Sequence, residues 1–188
     1  NTLEAIASEK AGIIKEHIPL VIGELQQETL PVFKEFAKKL NTKLFLADQN
    51  YSFDKTSLTH HRIPLLKVDV LINGKPFLKN VTSPLSAEYQ LKNILTVIQS
   101  VELLRQKNFK ISDHHIKAGI RRVIKNTVLK GRWQTLSTKP LAIADIGHNA
   151  AGIREVVNQL KKVNYEKLHF VIGVVNDKDV GAMLKLLP

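Results

Sequence analysis

Hydrophobic residues recur with the period of a helix at the start of the chain. Leu3, Ile6, Ala7 and Lys10 follow an i, i+3, i+4, i+7 spacing, which predicts a short amphipathic helix over residues 3–14. Lys10 is a charged residue on an otherwise apolar stripe. A lysine in such a place commonly extends its ammonium group to water. Alternatively, burial removes its hydration and leaves a neutral amine that is available for chemistry.

A strand, a helix and a second strand are predicted next, at residues 18–24, 28–40 and 44–48. Pro31 falls in the first turn of the helix, where its missing amide hydrogen leaves no helical bond unmade. Two strands that are joined through a helix form a βαβ unit. This part of the chain therefore predicts a parallel sheet.

The pattern changes to period-2 alternation at residues 65–81, which read LLKVDVLINGKPFLKNV. Asn73 and Gly74 separate two alternating runs, and Asn-Gly in this position is the strongest short-range signal for a hairpin. The stretch therefore predicts two antiparallel strands that turn at this pair.

Two helices are predicted after the hairpin, at residues 87–106 and 113–125. Ser112 precedes the second helix as an N-cap. Ile111 and Ile116 are placed for a hydrophobic staple across the first turn of that helix. We therefore expect helical structure between the hairpin and the next strand.

Strands and helices alternate again in the last third of the chain. The predicted elements are a strand at 141–147, a helix at 150–162, a strand at 168–175 and a helix that begins near Asp179. In a simple βαβ arrangement the two strands are parallel neighbours. The change of pattern indicates a domain boundary near residues 126–131, and we expect one unit at 1–128 and another at 129–188.

Composition restricts the class of protein. The 188 residues are 44% hydrophobic and 24% charged, which is typical of a globular chain that buries a core. No apolar run approaches the roughly 18 residues of a membrane-spanning helix. The absence of cysteine excludes disulfides and thiol catalysis and favours a reducing compartment such as the cytoplasm.

The chain begins at Asn1 and stops inside a helix-like run, so we expect it to be a piece of a longer protein.

Positive charge is concentrated in the middle of the chain. From Arg105 to Arg132 there are nine Lys or Arg residues and one acid, Asp113, in a chain with a formal net charge of +11. Such a stretch is typical of a solvated helix surface, a phosphate-facing cleft or a nucleic-acid footprint. Aromatic residues are few and are not interleaved with the basic ones, which argues against a single-strand binder.

Polar side chains follow a predicted strand in the stretch IADIGHNAAG (143–152). In open parallel sheets, ligands bind beyond the carboxyl ends of strands, close to helix N-termini. Asp145 offers an acceptor for hydroxyl groups, and His148 and Asn149 offer further polar groups. A purely structural explanation, in which Asn149 caps the helix and Gly147 makes the turn, leaves Asp145 and His148 without a role. The stretch therefore indicates a ligand site.

Five segments together resemble a known family. They are SEKAGIIK (8–15), PLSAEYQLKN (84–93), GRWQ (131–134), IADIGHNAAG (143–152) and GVVNDKD (173–179). In this order and at these distances they resemble the motifs of the folylpolyglutamate synthase/dihydrofolate synthase family of Mur-type ligases. The resemblance implies an α/β fold. Part of a P-loop-type Mur ligase central domain would lie at 1–128, followed by part of a Rossmann-like C-terminal domain at 129–188.

The resemblance also implies a reaction. In this family, ATP converts a folate or pteroate carboxylate to an acyl phosphate, and the amino group of L-glutamate displaces phosphate to form an amide. ATP and Mg²⁺ are the implied cofactors. A monomeric cytoplasmic enzyme that binds neither nucleic acid nor membrane is the implied setting. Since the family's phosphate-binding loop is expected upstream of residue 1, we expect this chain alone to be inactive.

Four residues receive roles from the same resemblance. Lys10 matches the family's carbamylated lysine, which implies a catalytic residue that, as a carbamate, is an oxygen ligand for Mg²⁺. Arg132 and Asp145 match ATP contacts, with the cation suited to phosphates and the carboxylate suited to ribose hydroxyls. His148 matches the histidine that faces the cleft near the acyl phosphate, and it is the second implied catalytic residue.

Two other functions stay open. A cell-wall Mur ligase would share the chemistry and act on a different substrate, although the Glu-Lys-Ala-Gly-Ile and Asp-Lys-Asp motifs favour the folate branch. A non-catalytic basic module that binds nucleic acid is the alternative from another class.

Overall fold

Helices and strands alternate along the chain in the computed structural model, which describes residues 2–59, 63–175 and 180–188. The elements, in chain order, are α1 (Leu3–Ala11), β1 (Leu20–Ile22), α2 (Leu30–Lys39), β2 (Leu44–Leu46), α3 (Ala47–Asn50), β3 (Tyr51–Leu58), β4 (Leu66–Ile72), β5 (Lys75–Ser83), α4 (Gln90–Gln106), α5 (Asp113–Arg121), α6 (Val123–Thr127), β6 (Gln134–Thr138), β7 (Leu141–Ala144), α7 (Ala150–Leu160) and α8 (Val180–Leu184). Among the described residues, no helix is both long and apolar enough to cross a bilayer.

The predicted βαβ unit is confirmed. β1 and β2 are parallel neighbours, with Leu20 opposite Leu44 and Ile22 opposite Leu46. α2 joins them and carries Pro31 in its first turn. The prediction of a parallel pair therefore holds, although each strand is only three residues long.

α1 buries a different face from the one that its sequence predicted. Ala7 and Ala11, which are one helical turn apart, are 2% and 1% exposed, whereas Leu3 and Ile6 are 50% and 42% exposed. α1 contacts α2, and small alanine side chains allow the two helices to approach closely. Lys10 is exposed on the outer face. The predicted burial of Lys10 on an apolar face is therefore wrong.

The hairpin predicted at residues 65–81 is confirmed. β4 and β5 pair antiparallel and turn at Asn73 and Gly74, which both have positive φ, +48° and +75°. Such a pair matches the twist of a two-residue hairpin. β3 pairs with the other side of β4 and completes a three-stranded antiparallel sheet. The sequence did not predict β3, because most of its side chains are exposed and few are apolar.

The main hydrophobic core lies between this sheet and α3, α4 and α5. Val68, Val70 and Leu78 from the sheet are each 1% exposed, and they share one cluster with Ile98 of α4 and Ile116 of α5. Full burial of such a side chain stabilises the fold by about 1.5–3 kcal/mol. The apolar stripe of the predicted 87–106 helix is confirmed, although α4 begins at Gln90.

The cap that was predicted for the second helix is also confirmed. Ser112 Oγ accepts a hydrogen bond from the His115 amide at 3.3 Å. The Ser112 amide in turn donates to Nδ1 of His115 at 3.2 Å. This is a capping box in which histidine takes the position usually held by glutamate or glutamine. The predicted 113–125 helix ends earlier, at Arg121, and a short α6 follows.

The predicted parallel pairing near the end of the chain is wrong. β7 pairs antiparallel with β6, and residues 168–175 form no strand. The side chains of this segment nevertheless alternate between packed and exposed positions. Phe170 and Ile172 pack against the clusters around α7, whereas Val171 is 95% exposed. Side-chain packing alone produces this alternation, since the backbone of the segment has no ladder partner within the described part of the chain.

The segment between α6 and β6 has an unusual backbone. Val128, Gly131 and Trp133 all have positive φ, at +55°, +68° and +51°. Gly131 is buried against Ile146, and a Cβ at Gly131 would lie 2.4 Å from Cγ2 of that isoleucine. Its carbonyl oxygen also accepts a hydrogen bond from the Ile146 amide at 2.9 Å. Glycine is therefore required at this position, both for its backbone conformation and for its size.

A second cluster joins the segment between β5 and α4 to the last third of the chain. It contains Ala87, Trp133 and Val156 as buried members, with Tyr89 and Phe170 packed against them. The side chains that come before α4 are thereby held against α7.

We predict that Gly131→Ala lowers the free energy of unfolding by about 2–5 kcal/mol. A left-handed backbone costs an alanine about 1–2 kcal/mol, and overpacking against Ile146 adds about 1–3 kcal/mol. Gly74→Ala is the matched control, because Gly74 also has positive φ but has no atom within 4 Å of its added Cβ. Urea denaturation of both variants measures the difference. Equal losses of stability would show that Ile146 moves aside freely.

Candidate nucleotide site at the end of β7

A cavity of about 210 Å³ opens where β7 ends and α7 begins. Three of the four residues that the sequence singled out lie in its wall, whereas Lys10 does not. The cavity is lined by Tyr89, Arg132, Asp145, Ile146, Gly147, His148, Asn149, Gly152 and Glu155. The structure therefore brings Arg132, Asp145 and His148 together.

The Asp145 carboxylate receives hydrogen bonds from three separate segments. Its Oδ2 accepts from the Trp133 amide at 2.8 Å and from the Tyr89 hydroxyl at 2.6 Å. Its Oδ1 accepts from the Gly147 amide at 2.8 Å. Hydrogen bonds to an ionised acceptor are strong, so the carboxylate is held in one orientation at the cavity wall.

The GRWQ segment forms the loop that positions these groups. The Gly131 amide donates to Oε1 of Gln134 at 3.0 Å, which closes the loop. Trp133 has positive φ, an uncommon conformation for a bulky residue. This conformation directs its amide at Asp145. The strain is located at the candidate site, where the hydrogen bond to the carboxylate offsets part of its cost.

Arg132 supplies the positive charge of the cavity. It is half-buried in the wall, and it forms no ion pair with any carboxylate in the described part of the chain. A guanidinium with free donors binds phosphate oxygens through charge-assisted hydrogen bonds. The structure therefore leaves Arg132 available to an anionic ligand.

His148 is exposed at the mouth of the cavity. Its Nδ1 lies 3.1 Å from the Ile146 carbonyl oxygen. Because a carbonyl oxygen only accepts, Nδ1 carries the hydrogen in this contact. The neutral ring therefore presents Nε2 as an acceptor toward solvent, and the protonated ring presents it as a donor.

Asn149 and Gly147 have the structural roles that the sequence allows for them, a helix cap and a tight turn. Asn149 Oδ1 accepts from the Gly152 amide at 2.7 Å and caps α7. A Cβ at Gly147 would lie 3.2 Å from the backbone carbon of Gly152, so the loop passes close to the helix start. The remaining free amides at this helix N-terminus favour negative charge in the cavity.

Tyr89 and Glu155 are wall residues that sequence reasoning missed. Tyr89 lies in the PLSAEYQLKN motif, yet nothing in that motif indicates a contact with Asp145. Burial raises the pKa of the Tyr89 phenol, and the hydrogen bond to Asp145 raises it further. The phenol therefore keeps its hydrogen at neutral pH and donates a hydrogen bond to Asp145. Glu155 lies on the exposed side of α7 and carried no local signal.

Two predicted contributors to the site have no structural support. Residues 176–179 of the GVVNDKD motif lie outside the described residues. Lys10 is exposed on α1, and the described residues contain no group of three or more His, Asp or Glu side chains that could hold a metal.

The positive charge of the stretch from Arg105 to Arg132 is less concentrated in the structure than the sequence suggests. Arg105 pairs with Glu102 at 2.6 Å and with Asp113 at 2.8 Å. Lys117 and Arg121 lie on α5, and the side chain of Arg121 reaches Thr82 Oγ1 at 3.5 Å. Only Arg132, at the end of the stretch, lines the cavity.

No model of a protein family matches the chain. Curated proteins do match it along almost its whole length. Folylpolyglutamate synthase of Lacticaseibacillus casei is 27% identical over 184 residues, which are 97% of this chain and 41% of that protein. A probable dihydrofolate synthetase of Schizosaccharomyces pombe is 29% identical over 194 residues, covering all of this chain and 43% of that protein. The chain thus spans less than half the length of these relatives.

Solved structures show the same relationship. A structure described as an FPGS–AMPPCP–folate complex superposes with a TM-score of 0.85 at 25% identity, over 98% of this chain and 43% of that one. Folylpolyglutamate synthase of Thermotoga maritima superposes with a TM-score of 0.71 at 28% identity, over 98% of this chain and 42% of that one. The predicted α/β fold is therefore confirmed. The predicted resemblance is confirmed as well: the chain is similar, over almost all of its length, to part of proteins named folylpolyglutamate synthase or dihydrofolate synthase.

Proposed function

We propose that this chain is part of an ATP-dependent ligase that joins L-glutamate to a folate or pteroate carboxylate through an acyl phosphate. One observation carries the proposal. A single cavity is lined by Arg132, Asp145 and His148. The sequence motifs identified these three residues, which are distant from Lys10 in the sequence. A similar solved structure is named as a complex with AMPPCP, an ATP analogue, and folate.

Each wall residue has a chemical task in this proposal. Arg132 neutralises charge on the phosphates of ATP, which is the main electrostatic requirement of phosphoryl transfer. Asp145 accepts a hydrogen bond from the ribose. His148, at the mouth of the cavity, faces the carboxylate that becomes the acyl phosphate. Holding these partners in one geometry converts a bimolecular reaction into an effectively unimolecular one.

The reaction proceeds in two balanced steps. An oxygen of the substrate carboxylate attacks the γ-phosphorus of ATP, and ADP leaves with the electrons of the broken bond. The neutral amino group of glutamate then attacks the acyl carbon, inorganic phosphate leaves with the electrons of the broken bond, and the nitrogen releases a proton to solvent as the amide forms. Mg²⁺ would supply charge neutralisation at the phosphates.

The setting of the enzyme is part of the same proposal. We propose a monomer that acts in the cytoplasm and binds no nucleic acid. The absence of cysteine supports a reducing compartment. The low aromatic content, 6%, supports the absence of a base-stacking surface.

Glutamate ligation by the full-length protein tests the function. We expect ATP-dependent incorporation of labelled glutamate into dihydropteroate or a folate, and none into a UDP-muramyl acceptor. The opposite preference would identify a cell-wall ligase. Steeply salt-dependent binding to DNA without ATP turnover would identify a nucleic-acid module.

We predict that Arg132→Ala raises the ATP concentration needed for half-maximal activity by about 10- to 150-fold. The change removes one charge-assisted contact, worth about 1.5–3 kcal/mol. Arg154→Ala is the matched control, because Arg154 is exposed on α7 and does not line the cavity. Steady-state kinetics at varied ATP give the comparison.

Asp145→Ala should also raise the ATP requirement. Because this change removes the acceptor of three hydrogen bonds, its folding must be verified by thermal denaturation. Unchanged ATP kinetics in folded Arg132→Ala and Asp145→Ala proteins would remove both residues from the site.

Another prediction concerns Lys10. We propose that in the full-length enzyme Lys10 carries a carbamate that ligates Mg²⁺. The resemblance of SEKAGIIK (8–15) to the family's motif supports it. Lys10→Ala should lose most activity, and a short added carboxylic acid should restore part of it. Lys10→Arg should stay inactive, because a guanidinium keeps its positive charge and takes up no CO₂.

Lys15→Ala provides the control for this series, since Lys15 is also exposed and lies just beyond α1. It should retain parental activity. Parental activity in Lys10→Arg would show that Lys10 is an ordinary surface lysine.

A further inference from the structure

The contacts of Asp145 leave it with little remaining capacity to accept hydrogen bonds. A carboxylate has about four acceptor positions, two on each oxygen. The Trp133 amide and the Tyr89 hydroxyl occupy both positions on Oδ2, at 2.8 Å and 2.6 Å. The Gly147 amide occupies one position on Oδ1. One acceptor position on Oδ1 therefore remains for a ligand.

A ribose presents two adjacent hydroxyl groups. A carboxylate without other partners could accept a hydrogen bond from each of them, one on each oxygen. Asp145 can accept a hydrogen bond from only one of these hydroxyl groups while the Trp133 amide and the Tyr89 hydroxyl keep their bonds to Oδ2. The second hydroxyl then needs another acceptor in the same cavity, because a polar group that loses water without a partner weakens binding.

Tyr89 offers that acceptor. Tyr89 lines the cavity, and its hydroxyl lies 2.6 Å from Oδ2 of Asp145, another residue of the wall. The hydroxyl uses its one hydrogen to donate to Asp145, so its oxygen is left with acceptor positions only. The raised pKa of the phenol, caused by burial and by the carboxylate, keeps that hydrogen in place at neutral pH.

The backbone around Tyr89 is held firmly enough for such a role. The neighbouring Glu88 amide donates to Oε1 of Gln159 on α7 at 3.3 Å. The Glu88 carboxylate also pairs with Lys162, and the preceding Ala87 is 0% exposed in the cluster with Trp133. These contacts attach the start of α4 to the same helix that borders the cavity.

We propose that Tyr89 determines specificity for the nucleotide sugar: its hydroxyl oxygen accepts a hydrogen bond from one ribose hydroxyl, and Asp145 Oδ1 accepts one from the other. This inference rests on the proposed use of ATP. It assigns the recognition of one diol to two segments that are 56 residues apart in sequence.

The test is calorimetric binding of ATP, 2′-deoxy-ATP and 3′-deoxy-ATP to the full-length protein and to Tyr89→Phe. In the parent, we expect one deoxy analogue to bind about 10- to 150-fold more weakly than ATP, because it loses a bond to the charged Asp145. The other should bind about 2- to 13-fold more weakly, because it loses a bond to the neutral Tyr89 hydroxyl. In Tyr89→Phe the smaller penalty should not keep its parental value: it should disappear, or rise to the larger range where the acceptor position freed on Asp145 Oδ2 takes the second hydroxyl. The larger penalty should remain.

Matched variants separate this role from a structural one. Tyr165→Phe removes a hydroxyl from an exposed tyrosine outside the cavity, and it should leave both penalties unchanged. Glu155→Gln tests the other carboxylate in the wall, and it should also leave both penalties unchanged. Thermal denaturation verifies that Tyr89→Phe is folded, as expected because the phenyl ring still fills its place in the cluster with Trp133.

The outcomes distinguish the inference from the function on which it rests. A parent protein that binds no ATP overturns the proposed function. A parent that binds ATP and a Tyr89→Phe variant that keeps both deoxy penalties at their parental values overturn the inference alone. Equal weakening of all three nucleotides in Tyr89→Phe also overturns it, because Tyr89 would then only position Asp145. Loss of the smaller penalty in Glu155→Gln would assign the second acceptor to Glu155 instead.

Discussion

The hydrogen bonds to the Asp145 carboxylate organise the candidate site. They come from the loop before β6, from the turn before α7 and from the residue that precedes α4. Each donor would be unsatisfied in a partly buried position without this acceptor, so loss of the carboxylate costs more than a single contact. The same interaction orients the carboxylate and attaches the first part of the chain to the last third.

The GRWQ loop shows how a short sequence specifies such an arrangement. Gly131 is required where the loop touches Ile146, and Gln134 closes the loop through the Gly131 amide. Trp133 keeps a left-handed backbone because its ring is buried between Ala87 and Val156 and its amide binds Asp145. Arg132, between these fixed residues, has its backbone held while its side chain remains free for a ligand. Backbone strain, packing and a free cation are thus combined within four residues.

Local patterns predicted most elements but not their partners. The Asn73-Gly74 turn and the Ser112 cap were recognised because their chemistry lies within a few residues of sequence. β3 was missed because its side chains are mostly polar and exposed. The face of α1 was assigned wrongly because its period-3.6 pattern contains two apolar stripes. Only the contact with α2 selects the alanine stripe and leaves Lys10 outside.

For the site, motifs in the sequence were enough to select the candidate residues. Arg132, Asp145 and His148 were identified from motifs, and their order along the chain placed the last two at a strand end. That all three share one cavity with Tyr89, and that Asp145 has one acceptor position left, follows from the folded chain alone. The reason is physical: a motif records which functional groups occur at short spacing, whereas the Tyr89–Asp145 contact joins residues far apart in the chain. Such contacts depend on how α4 and α7 pack, and no local spacing encodes that packing.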